Sequence, residues 1–351
     1  MAALLAVILV ILASSMGQGL GDGSNPGLSV SVGLGFGLKI TLQVGLYSKS
    51  CPDAESIVRD EVTKAVKTNP GLAAGLVRMH FHDCFVRVRK PSTLGCDGSV
   101  LIDSTTNPPN TAEKDAPPNN PSLRGFEIID RVKARIEAAC PGVVSCADIL
   151  AFAARDSVVA TNGPSYDVPC GRRDGNISLA ADAVANLPPP FFNVSQLTQS
   201  FARKGLTQDE MVTLSGAHTI GRSHCSSFSS RLYNFNGTGN PDPSLDPAYV
   251  QQLKQSCPQG STDTSLVVPL DPISPNVTDN TYYRDVLNSR GLFTSDQALL
   301  TDPNTRVLVT QNAFAGPLWR TRFAAAMLKM GAIDILTGDQ GEIRLNCRKI
   351  N

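Results

Sequence analysis

Four histidines occur in the 351-residue chain, and two of them lie close together at His80 and His82. On a helix, residues two apart point to different faces, so these two imidazoles are not expected to bind one metal ion together. Arg78 lies four residues before His82 and would share its face, beside the ring of Phe81. An imidazole can move a proton while a guanidinium stabilises developing negative charge, which suits acid–base chemistry on a small oxygen substrate. Arginine and histidine at this spacing also occur in surface and structural roles, so the pair alone does not establish a catalytic site.

Another histidine, His218, lies between Gly216 and Gly221 in the segment SGAHTIG, residues 215–221. Two glycines around a histidine indicate the close approach of something flat or bulky, because glycine has no side chain to exclude it. A turn at the end of a helix explains the glycines equally well. Both interpretations stay open on this segment alone.

The segment RMHFHDC, residues 78–84, occurs together with the segment SGAHTIG in this chain. With both present, the chain resembles the secreted plant haem peroxidases, the class III family that includes horseradish-type enzymes. The resemblance runs from about Gln43 to Asn351. It implies a mainly α-helical, two-lobed haem peroxidase fold with the haem between a distal and a proximal half.

The resemblance places the distal catalytic pair at His82 and Arg78. The histidine would take a proton from hydrogen peroxide and deliver it to the departing oxygen, while the arginine stabilises the charge. Asn119 matches the residue that hydrogen-bonds the other imidazole nitrogen and so fixes the tautomer. Glu113 lies behind it or joins the distal calcium site, and Phe81 lines the haem pocket.

On the proximal side, the resemblance makes His218 the axial ligand of the haem iron and Asp296 the carboxylate on its far nitrogen. The chain has no Cys-x-x-Cys-His segment, so we expect one non-covalent haem b. Leu270 stands where intracellular relatives carry a tryptophan, which excludes a tryptophan radical at that position. Pro188 matches the proline that marks the site of the reducing substrate.

The resemblance also implies two calcium ions, held by oxygen ligands in loops. The distal ligands would be Asp83, Val86, Gly95, Asp97 and Ser99, with Val86 and Gly95 contributing carbonyls. The proximal ligands would be Thr219, Asp271, Ser274, Val277 and Asp279, with Val277 contributing its carbonyl. Without the resemblance, Asp271 and Asp279 would be interpreted as solvated turn residues.

One departure from the family falls inside the distal calcium loop. Relatives usually have four residues between the two cysteines of this loop, whereas this chain has eleven, from Phe85 to Gly95. The extra residues are 88–94. Loop closure tolerates insertions, so the disulfide is compatible with a longer loop, but the two carbonyls need not converge on one ion. The insert is either real or an artefact of the gene model, and a peptide spanning residues 86–98 in mass spectra would decide.

Nine cysteines are present, an odd number that indicates four disulfides and one thiol if the compartment is oxidising. The resemblance implies the pairs Cys51–Cys140, Cys84–Cys96, Cys146–Cys347 and Cys225–Cys257. Cys170 is left over. We interpret it as a buried, unreactive thiol, with a redox role as the alternative.

The N-terminal sequence indicates secretion. Residues 1–17 contain an apolar run that suits a signal peptide and is too short to span a bilayer. Residues 18–42 form a Gly-rich extension that we expect to be flexible, and residues 43–351 form the haem peroxidase domain. Four glycosylation sequons support an extracellular or cell-wall location: Asn176, Asn193, Asn236 and Asn276.

Apolar periodicity after about residue 41 is mostly helical. Ser145 is predicted to cap one helix, Thr207 and Glu210 to form a capping box, and residues 319–330 to form a late apolar stripe. No alternating series of strands is evident, so the fold is expected to be mainly α. No later apolar run reaches bilayer length, so no membrane anchor is expected.

The prediction is therefore a monomeric, secreted peroxidase that reduces hydrogen peroxide and oxidises phenolic donors by one-electron steps. Lignin precursors and wall phenolics are the expected donors, in hydrogen peroxide catabolism and the response to oxidative stress. The net charge of zero argues against nucleic acid as a partner. Two alternatives remain: a haem-binding paralogue impaired by the insert at 88–94, and a secreted glycoprotein without a cofactor.

Overall fold

The computed structural model describes residues 29–33, 39–86 and 95–351, and helices make up about half of that part of the chain, with few strands. The mainly α-helical fold expected from the sequence is therefore confirmed. The helices are α1 Ala54–Thr68, α2 Gly71–Phe85, α3 Phe126–Ala139, α4 Cys146–Ala160, α5 Ala180–Asn186, α6 Val194–Ala202, α7 Gln208–Ser215, α8 Ser229–Tyr233, α9 Pro247–Ser256, α10 Thr281–Leu287, α11 Thr294–Ala298, α12 Pro303–Phe314 and α13 Gly316–Met330.

The predicted helix signals agree with the observed helix boundaries. Ser145 caps α4 by accepting a hydrogen bond from Asp148 N at 3.1 Å. Thr207 and Glu210 form the predicted capping box at the start of α7. These caps matter because the first turn of a helix leaves backbone N–H groups that need a partner.

The helices enclose two hydrophobic cores. The larger core contains the buried faces of α1 to α4, and α13 contributes Trp319, Phe323, Met327 and Met330 to it. The smaller core lies around α8 and α9, with Leu232 and Leu253 buried at its centre. The larger core surrounds α2, which carries Arg78 and His82, so the distal residues are fixed on a packed helix rather than on a loop.

Three two-stranded antiparallel sheets accompany the helices in the described residues. They pair β1 Ser29–Gly33 with β2 Lys39–Gln43, β3 Thr105–Thr106 with β4 Pro109–Asn110, and β5 Arg222–His224 with β6 Val267–Pro269.

The first of these sheets lies in the Gly-rich extension predicted at residues 18–42, where residues 29–33 and 39–42 form strands that the sequence analysis did not predict. Their Ser-Val-Ser-Val and Ile-Thr-Leu-Gln patterns alternate with a period of two, which favours strands. The dense glycines around them obscured that signal. The signal peptide at 1–17 and the insert at 88–94 lie outside the described residues.

All four cysteine pairs that the resemblance implied are present as disulfides, Cys51–Cys140, Cys84–Cys96, Cys146–Cys347 and Cys225–Cys257. Cys170 is the remaining cysteine and is completely buried. Within the described ranges, no helix has the length and apolar character needed to cross a membrane.

Candidate active site

The distal half of the site is built on α2, where His82 is 4% exposed. The ring Nδ1 lies 2.5 Å from Asn119 Oδ1, and Asn119 Nδ2 donates to Glu113 O at 2.6 Å. Because the amide nitrogen is engaged with a carbonyl, its oxygen is the atom that faces the imidazole and accepts from it. Nδ1 of His82 therefore carries the proton, and Nε2 has its lone pair available as a base.

The pKa of His82 lies well below its usual value. Burial is the main cause because it disfavours the charged imidazolium, and the positive charge of Arg78 adds to it. The hydrogen bond to Asn119 acts in the opposite direction, raising the pKa. The imidazole is therefore neutral near neutral pH, the protonation state that a general base requires.

Two hydrogen bonds from the Asn119 loop hold Arg78. Its Nη1 donates to Ser122 Oγ at 2.8 Å, and its Nη2 donates to Pro118 O at 2.7 Å. Burial and the neighbouring charge of Arg124 lower the pKa of Arg78 to about 10, so the guanidinium stays charged. No carboxylate in the described residues pairs with it, which leaves its charge available for a ligand.

The proximal half is built around His218, in the turn that follows α7. Its Nδ1 lies 2.8 Å from Asp296 Oδ1. The carboxylate of Asp296 also accepts from Phe293 N at 2.8 Å and from Tyr282 Oη at 3.0 Å. Burial raises the pKa of Asp296, but His218 and these two donors outweigh it, so the pKa is lowered and the group is a carboxylate.

His218 is oriented so that its other nitrogen is free. Asp296 accepts the hydrogen bond from Nδ1, and the rings of Phe293 and Tyr282 contact the imidazole edge-on at centroid distances of 5.5 and 5.9 Å. The side chain of His218 is 36% exposed, and no described residue hydrogen-bonds to its Nε2. An imidazole with Nδ1 on a carboxylate and no described residue on Nε2 is the arrangement found in metal-ligating histidines.

The two glycines around His218 serve the packing of the protein. A Cβ on Gly216 would lie 2.5 Å from Tyr283 Oη and 2.7 Å from Trp319 Nε1. Gly221 has φ +108°, and a Cβ there would lie 3.0 Å from Cβ of Ala74. The glycines therefore allow side chains of the protein to approach, and the contact with Ala74 brings the His218 turn against α2.

The five predicted proximal calcium ligands converge in the structure. Thr219 Oγ1 lies 3.2 Å from Val277 O, 3.2 Å from Asp279 Oδ1 and 3.3 Å from Asp271 Oδ2. Ser274 Oγ lies 3.2 Å from Asp279 Oδ1 and 3.3 Å from Asp271 Oδ2. Two carboxylates, two hydroxyls and a carbonyl form the hard oxygen set that Ca²⁺ prefers.

The distal calcium ligands converge in part. Asp83 accepts from Gly98 N at 2.9 Å, and Asp97 Oδ1 accepts from Ser99 N at 3.1 Å. Burial and the charge of Asp97 raise the pKa of Asp83. A divalent cation between the two carboxylates would offset their mutual repulsion. Ser99 Oγ donates to Glu113 Oε2 at 3.0 Å, so Glu113 connects this loop to Asn119.

Val86 and Gly95 flank the insert. Val86 caps the end of α2, and Gly95 N donates to Asp334 O at 2.9 Å. Among the described residues, no three His, Cys, Asp or Glu side chains form a metal cluster. Each of the two predicted sets of calcium ligands contains two aspartates, and its other ligands are hydroxyl and carbonyl oxygens.

Pro188 lies half-buried in a Pro-rich loop after α5. Ser295 N donates to Pro190 O of the same loop at 2.9 Å, which connects the loop to the helix of Asp296. Phe191, also in this loop, is 70% exposed. Leu270 N donates to Gly221 O at 3.0 Å, so Leu270 lies beside the His218 turn.

Comparison with known proteins agrees with this geometry. The family model described as Peroxidase matches residues 58–315. Peroxidase 5 of Vitis vinifera is 67% identical over 314 residues, which cover 90% of this chain and 93% of the relative. Peroxidase 3 of Arabidopsis thaliana is 50% identical over 317 residues, which cover 90% of this chain and 93% of the relative. Peroxidase 1 of Zea mays is 50% identical over 315 residues, which cover 88% of this chain and 83% of the relative.

The chain belongs to the peroxidase family. It is an oxidoreductase that uses hydrogen peroxide and an electron donor, and the family implies haem. The residues present fit that cofactor, because His218 exposes Nε2 while His82 keeps a neutral imidazole whose Nε2 no described residue engages.

Three positioning residues of this peroxidase were missed by the sequence analysis. Ser122 holds Arg78, and Tyr282 and Phe293 hold Asp296 and the ring of His218. Ser122 and Arg78 are 44 residues apart. The only feature of the sequence that could have indicated this role of Ser122 is its short spacing from Asn119 within one loop.

Proposed function

We propose that this chain is a secreted, monomeric class III peroxidase that oxidises phenolic donors one electron at a time. Each cycle reduces one hydrogen peroxide to two waters and converts two phenols to two phenoxyl radicals. The arrangement of His82, Asn119 and Arg78 carries the proposal. It combines a base of defined tautomer with a cation that has no carboxylate partner in the described residues.

In the proposed mechanism His82 acts twice. Its Nε2 accepts a proton from the incoming hydrogen peroxide and later donates that proton to the departing oxygen. Asn119 accepts a hydrogen bond from Nδ1–H throughout, so the ring does not change tautomer. Arg78 stabilises the negative charge that develops as the O–O bond breaks.

Haem b, when bound, would bind the peroxide oxygen and carry the oxidising equivalents to the donor. His218 would hold the iron through Nε2, and Asp296 would increase the basicity of that nitrogen. The phenolic donor would approach near the Pro188 loop, which is linked to the Asp296 helix.

Two calcium ions complete the proposal. Thr219, Asp271, Ser274, Val277 and Asp279 would hold the proximal ion. Asp83, Asp97 and Ser99, with the carbonyls of Val86 and Gly95, would hold the distal ion. Thr219 directly follows His218, and Asp83 directly follows His82, so each ion would stiffen the backbone of one histidine.

Absorption spectroscopy tests the function. Purified protein with haem should show a Soret band that changes within seconds of adding hydrogen peroxide. His82→Ala should keep the Soret band and lose about 10²- to 10⁴-fold in the rate of that change, the usual contribution of general acid–base catalysis. A protein without a Soret band would be the cofactor-free glycoprotein, and a Soret band without a peroxide response would indicate the impaired paralogue.

A further inference from the structure

A buried tyrosine shares one carboxylate oxygen with His218. Tyr282, on α10, is buried, and its Oη donates to Asp296 Oδ1 at 3.0 Å. His218 Nδ1 lies 2.8 Å from the same oxygen, and the rings of Tyr282 and His218 meet edge-on at a centroid distance of 5.9 Å. The phenol is therefore separated from the imidazole by a single carboxylate oxygen. The proposed mechanism assigns no reaction to this phenol.

The hydrogen bond to Asp296 makes Tyr282 easier to oxidise than an isolated phenol. Loss of one electron makes a phenolic proton strongly acidic, so the oxidation is favourable when a base accepts that proton in the same step. The carboxylate of Asp296 is already hydrogen-bonded to the phenol, so the proton has to move only along that bond. The negative charge of Asp296 also stabilises the loss of an electron beside it.

The neighbouring aromatic residues lack a base of this kind. Ring contacts continue from Tyr282 to Tyr283 at 5.0 Å and from Tyr283 to Trp319 at 6.1 Å. Tyr283 Oη donates to the carbonyls of Val212 and Thr213, and Trp319 Nε1 donates to the carbonyl of Thr213. Backbone carbonyls are much weaker bases than a carboxylate. A radical formed on any of these three rings is therefore most stable on Tyr282.

Tyr47 is the only other tyrosine in the described residues that donates to a carboxylate. Its Oη lies 2.7 Å from Asp148 Oδ2, but Asp148 also forms a buried ion pair with Arg172 at 2.7 Å. A paired guanidinium makes a carboxylate a weaker base. Asp296, by contrast, pairs with no Arg or Lys in the part of the chain that the structure describes. Tyr282 therefore combines an available carboxylate with direct contact to His218.

We propose that Tyr282 is a redox-active residue that stores one oxidising equivalent when no donor is present. The proposal rests on the proposed function, because hydrogen peroxide and the bound haem supply the oxidant. One electron leaves Tyr282 for the oxidised haem, and the phenolic proton passes to Asp296 Oδ1. The products are a neutral tyrosyl radical, a protonated Asp296 and a haem with one oxidising equivalent fewer. An electron from a donor, returned through the haem, and the proton on Asp296 restore the phenol.

Rapid-freeze-quench electron paramagnetic resonance tests the proposal. Haem-loaded protein mixed with hydrogen peroxide, without a donor, should give a tyrosyl radical signal. Wild-type protein that contains ring-deuterated tyrosine should give a narrower hyperfine pattern, which distinguishes a tyrosyl radical from a porphyrin or tryptophan radical without any substitution. A signal that deuteration leaves unchanged would overturn the proposal.

Two variants that each remove one hydroxyl group form a matched pair. Tyr282→Phe should lose the tyrosyl signal. Tyr283→Phe is the control, because it removes a buried hydroxyl from the adjacent ring whose only partners are carbonyls, and it should keep the signal. Loss of the signal in Tyr283→Phe and its retention in Tyr282→Phe would contradict the assignment to Tyr282.

A solvent isotope effect separates a redox role from a structural one. Tyr282 also holds Asp296, so Tyr282→Phe can change the haem spectrum through His218 even if the phenol is never oxidised. In the wild type without a donor, the first change that peroxide causes in the Soret band should decay more slowly in deuterium oxide, because the proton moves with the electron. Tyr282→Phe should decay more slowly than the wild type in water and lose the isotope effect. Equal isotope effects in the two proteins would refute the redox role.

Failure of this proposal can be distinguished from failure of the proposed function. If hydrogen peroxide does not change the Soret band of the wild type, the proposed function fails, and the redox role of Tyr282 fails with it. If the band changes but no tyrosyl signal forms, only the redox role fails.

Discussion

Asn119→Ala removes the acceptor that fixes the tautomer of His82. In the wild type, His82 Nδ1 lies 2.5 Å from Asn119 Oδ1, in a site where the ring is 4% exposed. A buried donor left without a partner costs about 1–3 kcal/mol, so the Nδ1–H tautomer loses its advantage. The proton then moves to Nε2, where it blocks the base.

A loss of about 2 kcal/mol from the tautomer preference predicts about a 30-fold slower reaction with peroxide. Stopped-flow absorbance at the Soret band under single-turnover conditions measures this rate directly. Asn119→Asp keeps an acceptor for Nδ1 but loses the hydrogen bond to Glu113 O, so it should retain the Nδ1–H tautomer and react with peroxide faster than Asn119→Ala. If Asn119→Ala reacted with peroxide as fast as the wild type while keeping a normal haem spectrum, the tautomer argument would be refuted.

Two more predictions concern the proximal calcium site and the unpaired cysteine. Asp279→Ala removes an oxygen that lies 3.2 Å from both Thr219 Oγ1 and Ser274 Oγ. The variant should bind about one calcium ion fewer per protein, measured by atomic absorption. Its melting temperature, measured by circular dichroism, should also be lower. A full calcium content would contradict the assigned ligands. Cys170 is completely buried, and burial and the charge of Asp148 raise the pKa of its thiol to about 12, so iodoacetamide should label it only after unfolding. Labelling of the native protein at the rate of a free thiol would show that Cys170 is reactive.

The elements of the fold were predictable where the signal is local. The capping box of Thr207 and Glu210 and the cap at Ser145 depend on residues within one turn, and the structure contains both. The short strand β5 was not predicted, because three residues are too few to show a period. It forms only by pairing with β6, which lies more than forty residues further along the chain.

The site was predictable where a residue's role is tied to a motif. His82, Asn119, His218 and Asp296 came from the resemblance, and the structure brings them together in two hydrogen-bonded pairs. The partners that orient these groups were not accessible in the same way. Tyr282, for example, reaches Asp296 across a turn between two helices, and a contact of this kind depends on packing rather than on sequence spacing.

The disulfide pattern divides the molecule into two covalently closed rings. Cys51–Cys140 closes a ring that contains the distal helix α2 and Asn119, and Cys146–Cys347 closes a ring that contains His218 and Asp296. The other two disulfides lie one within each ring, so no disulfide links the rings to each other. Residues 141–145 are the backbone between them. A protease cut inside either ring would leave the protein in one piece without reductant. A cut in this short bridge would leave two cystine-stapled fragments, one with His82 and one with His218, that are held together only by the packing of α1 to α4 and separate on denaturation.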